Sequence, residues 1–279
     1  MTTRLRIDLA YDGSGFSGWA IQPALPTVQA ELEVAVARAL RLERESVRTV
    51  VAGRTDSGVH ATGQVCHVDV PAESLDVAAE PGPQLLKRLR GALGKTSAIW
   101  IIGVDIAPPG FDARFSALAR RYDYRIADAL STKDPRMSGF TLWIDDALDI
   151  EPMNQVGQAL LGLHDFASFC RPREGATTIR ELQEFSWMRN SESVLIAQVR
   201  ADAFCHSMVR SLVGAAVAVG RGALRVDEVV QARQARQRTS LWKTLAAHGL
   251  TLCEVVYPDD DELASRAERT RALREPDSD

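Results

Sequence analysis

The sequence predicts an α+β fold made of two halves, each running β-α-β-β-α-β, the split or ferredoxin-like order. Three observations carry this reading. Period-2 alternation opens the chain and returns near residue 121, apolar runs at helical spacing follow, and the whole order then repeats with longer connections. The two ferredoxin-like halves are expected to form one mostly antiparallel sheet with helices on one side, and a cleft between them is the natural place for a ligand. The expected boundaries are 1–108, 109–257 and an acidic tail over 258–279, disordered or at most a frayed helix.

Leu5, Ile7 and Leu9 alternate with Arg4, Arg6 and Asp8, which gives a half-buried strand ending at the Asp12-Gly13 turn. Thr27 is a helix cap, and Val28, Leu32, Val36 and Leu40 recur at helical spacing behind it. Residues 46–52 and 64–70 read as strands around a glycine-punctuated loop, 84–93 as a second helix and 98–104 as a fourth strand. In the second half, 121–126 is a strand alternating Tyr122, Tyr124 and Ile126, and 152–161 a helix. Residues 180–189 and 193–201 form a hairpin around Asn190-Ser191. Helices over 206–220 and 226–236 and a closing strand over 250–256 complete the order.

With 46% hydrophobic and 25% charged residues, a chain of 279 residues can bury a real core. Disorder, collagen-like repeats and disulfide scaffolds are excluded for most of it. Cys66, Cys170, Cys205 and Cys253 stand far apart with no C-x-x-C pair, so each is expected to behave as a small buried hydrophobe in a reducing compartment. The N-terminus alternates polar and apolar residues and is not read as a signal peptide. Ala203–Gly220 is weakly charged but carries Arg210 near its middle, which disfavours a membrane span. A cytoplasmic protein is expected.

The net charge of −4 needs local reading. The stretch 258–279 holds eight acids and four arginines, −4 in all, so the rest of the chain sums to zero. Only four of 33 basic residues are lysine, which GC-biased codon usage explains better than selection for RNA. Global charge therefore does not decide the partner, and local patches must.

Gly13-Ser14-Gly15-Phe16-Ser17-Gly18 matches G-x-G-x-x-G after a strand, but Pro23 and Pro26 delay the helix to Thr27, so no helix N-terminus meets a pyrophosphate. It is read as a loop. Asp259-Asp260-Asp261-Glu262 lacks the spacing of a calcium loop, and Cys66-His67 lacks further zinc ligands. No metal is expected. The informative loop is Gly53-Arg54-Thr55-Asp56-Ser57-Gly58-Val59-His60-Ala61-Thr62-Gly63, three glycines around an Arg, an Asp and a His between two strands. A tight turn in which Asp56 holds backbone amides would also explain it. Arg210, the one charge in the run 203–220 and near its middle, is expected on a mostly buried helix, where it needs a partner. An Asp opposite would be kept ionised and oriented, and could act as a nucleophile. Arg120-Arg121-Tyr122-Asp123-Tyr124-Arg125 interleaves bases and aromatics on a strand, which suits base stacking and phosphate contact in an RNA-binding cleft as well as it suits a strand with core tyrosines.

Together these segments resemble the tRNA pseudouridine synthase A family, the bacterial enzymes of the anticodon stem-loop, over most of residues 4–257. The resemblance lies in Tyr11-Asp12-Gly13 with Gly18-Trp19, Thr27-Val28-Gln29, the Gly53–His60 loop, Phe115-Ser116-Ala117 and Arg121–Tyr124. It continues through His164–Phe169 and Phe204 with Met208-Val209-Arg210 and Gly214. Departures are Ala20 where the family has Gln, Arg88–Leu93 where it has an Asn-rich stretch, and Leu250-Thr251-Leu252 where an aromatic is common.

The resemblance implies a homodimeric, cofactor-free isomerase that converts uridine to pseudouridine at tRNA positions 38, 39 and 40. By the matching positions, Asp56 is the nucleophile, Tyr122 packs on the target uracil, Arg210 pairs with Asp56, and Arg54 displaces the base or holds the RNA backbone. The N1–C1′ bond breaks, the uracil turns, and C5 bonds to C1′. Asp56 attacks C1′ or C6, or assists removal of a sugar proton. Two rivals remain: a non-catalytic RNA-binding or folding factor, against which the intact Asp56, Tyr122 and Arg210 speak, and a related synthase with other target uridines.

Overall fold

The computed structural model describes residues 1–75, 81–171 and 177–271. Its strands are β1 (Thr2–Tyr11), β2 (Thr49–Val51), β3 (His60–Pro71), β4 (Ile99–Ile106), β5 (Ala119–Ala127), β6 (Leu142–Trp143), β7 (Gly162–Asp165), β8 (Ile179–Arg189), β9 (Leu195–Ala201) and β10 (Leu250–Val256). Its helices are α1 (Val28–Leu40), α2 (Pro81–Leu93), α3 (Ile150–Ala159), α4 (Met208–Gly220), α5 (Val226–Gln234) and α6 (Leu263–Arg271). The fold is mixed α+β and its strands are mostly antiparallel; the β5–β6 pair is parallel. The described residues divide into two compact units: 1–118 with 252–271, and 119–251. The expected division at 108/109 falls short of the first unit, and the C-terminal segment returns to it.

In the first unit the strand order is β4-β1-β3-β10, with β2 on β3. Alternation explains β1. Leu5, Ile7 and Leu9 are at most 1% exposed, while on the other face Arg4 holds Asp69 across the β1–β3 pair at 2.7 Å and Arg6 holds Asp8 at 2.9 Å. Thr27 caps α1 as expected, its hydroxyl accepting from the Ala30 amide, and Arg41 ends the helix in the left-handed conformation. Cys66, fully buried, behaves as a core hydrophobe; burial pushes its thiol pKa up.

The second unit orders its strands β5-β9-β8-β7. Its hairpin turns where expected: the Asn190 carboxamide oxygen accepts from the amides of Glu192 and Val194, and Ser193 takes a positive φ of 58°. Strands β6 and β7 were not anticipated; two and four residues are too few to show a period. Cys170 and Cys205 correct another expectation. Thirty-five residues apart in sequence, they come to 5.8 Å between Cα atoms and form a disulfide, because the segment after β7 lies beside the start of α4, where the Arg171 amide donates to the His206 carbonyl. No helix among the described residues is long and apolar enough to cross a membrane.

The acidic tail is the clearest departure. The sequence led us to expect disorder or a solvated, frayed helix over 258–279, yet Leu263–Arg271 is a helix that packs on the first unit. Leu263 and Ala267, one turn apart, are buried, and Leu263 joins Ala52, Val65, Phe111 and Ala113 in a core cluster. The Ser116 hydroxyl donates to the Leu263 carbonyl at 3.0 Å, and Arg271 pairs with Asp112 at 2.9 Å. A narrow apolar stripe suffices where the partner surface is already formed, and charge on the other faces hides it from a composition argument. Residues 272–279 lie outside the described residues.

Candidate active site

The loop between β2 and β3 carries Arg54 and Asp56, and its backbone rests on residues 12–19. Trp19 donates its amide to the Thr55 carbonyl at 3.1 Å, while the Ser57 hydroxyl and Gly58 amide donate to the Phe16 carbonyl at 3.2 and 3.3 Å. The fit is backbone on backbone. A Cβ on Gly13 would overlap the Val59 carbonyl oxygen, and Gly18, at φ 95°, would bring a Cβ within 2.9 Å of the Thr55 oxygen. Gly13 and Gly18 of the G-x-G-x-x-G match thus serve the seat of a neighbouring loop, while a Cβ on Gly15 would stand in open space. Phe16 and Trp19, both buried, anchor that seat in the core. His60, 2% exposed, accepts the Gly13 amide on Nδ1 at 3.0 Å.

Beneath the loop runs a hydrogen-bond chain whose direction can be worked out. The Gln64 amide nitrogen donates to the Gly53 carbonyl at 2.8 Å and to the Tyr11 hydroxyl at 3.1 Å, while its oxygen accepts from the Val65 amide at 3.2 Å. A carbonyl cannot donate and an amide N–H cannot accept, so the carboxamide has one orientation. Tyr11 therefore accepts from Gln64 and donates its single proton to Thr55 Oγ1, 2.8 Å away. Burial pushes the Tyr11 phenol up to about 12, so it keeps that proton at any working pH. Thr55 is 7% exposed, Asp56 half-buried and Arg54 exposed. The residue pointed out as nucleophile thus follows directly on one whose hydroxyl is held by Tyr11 of β1, itself held by Gln64 of β3.

In the second unit, Tyr122 on β5 is 7% exposed and meets Phe204 edge to face, centroids 5.2 Å apart at 89°. Tyr124 of the same strand is a core residue: it is fully buried and donates to the Ala246 carbonyl at 2.7 Å. Arg120 is buried and donates to the Asp202 carbonyl at 2.7 Å, and Arg121 pairs with Asp123 at 2.8 Å. The base-and-aromatic strand is therefore largely structural. Arg210 lies near the start of its helix, which opens two residues later than the 206 expected. Residues before Ser207 are not helical and Ser207 takes φ 65°, so α4 begins at Met208 and Arg210 lies in its first turn, half-buried. Its guanidinium donates to the Leu245 carbonyl and to the Ser207 hydroxyl, both at 3.1 Å.

The other candidates resolve into structure. His67 accepts the Ala113 amide on Nδ1 at 3.0 Å. Asp260–Glu262 form the turn that leads into α6, where acids suit a helix N-terminus. No three His, Cys, Asp or Glu side chains gather as metal ligands among the described residues. Sequence reasoning did not single out Gln64 or assign Tyr11 a structural role, and a polar residue at the start of a predicted strand was the one available sign.

Comparison with known proteins follows the same residues. A family model described as tRNA pseudouridine synthase matches residues 157–258. The chain is 53% identical to tRNA pseudouridine synthase A of Leifsonia xyli subsp. xyli, covering 98% of both chains. It is 51% identical to the protein of that name from Frankia casuarinae, over 98% of this chain and 96% of that one. The corresponding Streptomyces avermitilis protein is 48% identical over 97% and 94%. Likeness of this degree along almost the whole of each chain places this protein in the tRNA pseudouridine synthase family, a family of isomerases.

Proposed function

We propose that the chain converts uridine to pseudouridine at positions 38, 39 and 40 in the anticodon stem-loop of tRNA, with Asp56 as the nucleophile. The observation that carries the proposal is the Gly53–Gly63 loop: it presents a half-buried carboxylate from a backbone fixed on two sides. One carboxylate suits an isomerisation in which C5 of the freed uracil is itself the second nucleophile, whereas glycoside hydrolysis generally needs two carboxylates and an admitted water. Tyr122 packs on the target uracil, Arg210 pairs with Asp56 and orients it, and exposed Arg54 displaces the base or holds the backbone. The uridine must leave its stack, at a cost of a few kcal/mol drawn from contacts to the rest of the tRNA. The enzyme acts as a homodimer in the cytoplasm without metal or cofactor.

The test is Asp56→Asn, which keeps size and polarity and removes the nucleophile. Pseudouridine mapped at positions 38–40 after incubation with unmodified tRNA should vanish while tRNA binding persists. Turnover retained beyond a small fraction would remove Asp56 from its role, and pseudouridine at other positions alone would redirect the substrate assignment.

A further inference from the structure

A cavity of about 70 Å³ opens within the second unit, with room for several waters or one tetrahedral oxyanion. The start of α4 supplies Ser211 and the residue just before it, Ser207; Arg171 comes from the segment after β7, and Arg238, Thr239 and Thr244 come from the segment after α5. Trp242 and Phe169, stacked at 5.0 Å, close its apolar side.

The hydrogen bonds around it leave protons without acceptors. Trp242 Nε1 can only donate, and it donates to Ser211 Oγ at 2.9 Å. Ser211 is thus an acceptor there, and its own proton, on a side chain in a residue only 5% exposed, has no acceptor among the described residues. Thr239 Oγ1 likewise accepts from the Leu241 amide at 3.1 Å and leaves its proton unspent. The guanidiniums of Arg171 and Arg238 make no ion pair or hydrogen bond among the described residues, and no carboxylate lines the wall. Helix α4 also begins without a side-chain cap. On the side of Ser168 the hydroxyl proton is spent on the Ala232 carbonyl. Ser211, Thr239 and the two arginines still leave spare donors, and the missing component is an acceptor of several hydrogen bonds carrying negative charge.

We propose that this cavity is a seat for a tetrahedral oxyanion of the phosphate class. It lies next to the residue assigned to hold Asp56: Ser207, on the cavity wall, accepts from Arg210. Resting on the function proposed above, the occupant is a backbone phosphate of the bound tRNA; free phosphate has the same chemistry.

The test uses the full-length protein and inorganic phosphate, followed by ³¹P NMR titration. The wild type should bind phosphate saturably, and Arg171→Gln/Arg238→Gln should bind it roughly 10-fold more weakly. Both arginines are exposed, so the variant should fold, which an unchanged thermal melt verifies. Ser211→Ala changes no charge: a built seat loses phosphate affinity several-fold, whereas diffuse attraction would leave it unchanged and sink the proposal. For tRNA, the slope of log affinity against log salt should shrink by about 1 in the arginine variant. Weakened phosphate binding with an unchanged tRNA slope would assign the seat to free phosphate. Absent saturable binding by the wild type would overturn the seat whatever Asp56→Asn does; binding that persists while the Asp56 test fails would leave the seat standing without the enzyme reading.

Discussion

At the scale of single residues, Tyr11 and Gln64 act on the candidate nucleophile at one remove, through Thr55 and the Gly53 carbonyl. Tyr11→Phe keeps the ring but leaves Thr55 and one Gln64 N–H unsatisfied in a buried place, a cost of about 1–3 kcal/mol. Pseudouridine formation at saturating tRNA should then fall more than tRNA affinity does. Gln64→Ala should add little on top, because both residues work through one chain. Additive losses in the double variant would show two separate contributions. His67 gives a pH prediction. Burial, reinforced by Arg4, lowers its imidazole to about 4, and burial with Arg233 lowers His164 too. Both stay neutral when folded, so on acidification below the ordinary value of 6.5 the unfolded chain gains protons first. Stability should decline from pH 6.5 towards 4, with no slope from these groups above that window. Thermal midpoints between pH 7 and 4.5 should show it, and His67→Asn, whose side-chain oxygen can still accept the Ala113 amide, should flatten the fall.

At the scale of elements, one carboxylate knots the second unit together. Asp128, just past β5, accepts from the Leu148 and Leu130 amides, from Ser131, and bidentately from Arg189 at the end of β8. Burial would raise its pKa, but Arg189 and the other donors overcome that and hold it at about 2. Asp128→Ala should cost about 3–5 kcal/mol in urea unfolding, since a half-buried Arg189 and several amides lose their acceptor. A loss below 1 kcal/mol would mean that water replaces the carboxylate. The knot also shows what a sequence hides: its members span positions 128–189, and no pattern in any one segment marks them. Strand β10 was legible to the residue, being an apolar run bounded by Gly249 and Pro258, and the Thr27 cap was legible from local chemistry alone. The Gly53–Gly63 loop stood out because Arg, Asp and His seldom share three glycines. Its support did not, because Tyr11 and Gln64 meet across 53 positions.

At the scale of the whole molecule, the C-terminal helix belongs to the core of the first unit. Ending the chain after Pro258 removes the buried Leu263, worth about 1.5–3 kcal/mol by burial alone, and leaves Ser116 only the longer bond to the Gly110 carbonyl, 3.5 Å away. The truncated protein should melt several degrees lower by calorimetry. An unchanged melting temperature would mean that α6 contributes nothing. The same segment gives the molecule a timetable. Among the described residues the second unit is one uninterrupted stretch, 119–251, but the first needs β10, most of which is made after it. At roughly 5–20 residues per second, the ribosome takes on the order of ten seconds to travel from the end of the first stretch to β10. During that interval the nascent β1 and β3 can pair while the flank of β3 that β10 will cover lies open. Misassembly during synthesis would therefore begin at an N-terminal edge, even though the missing strand is the last one translated.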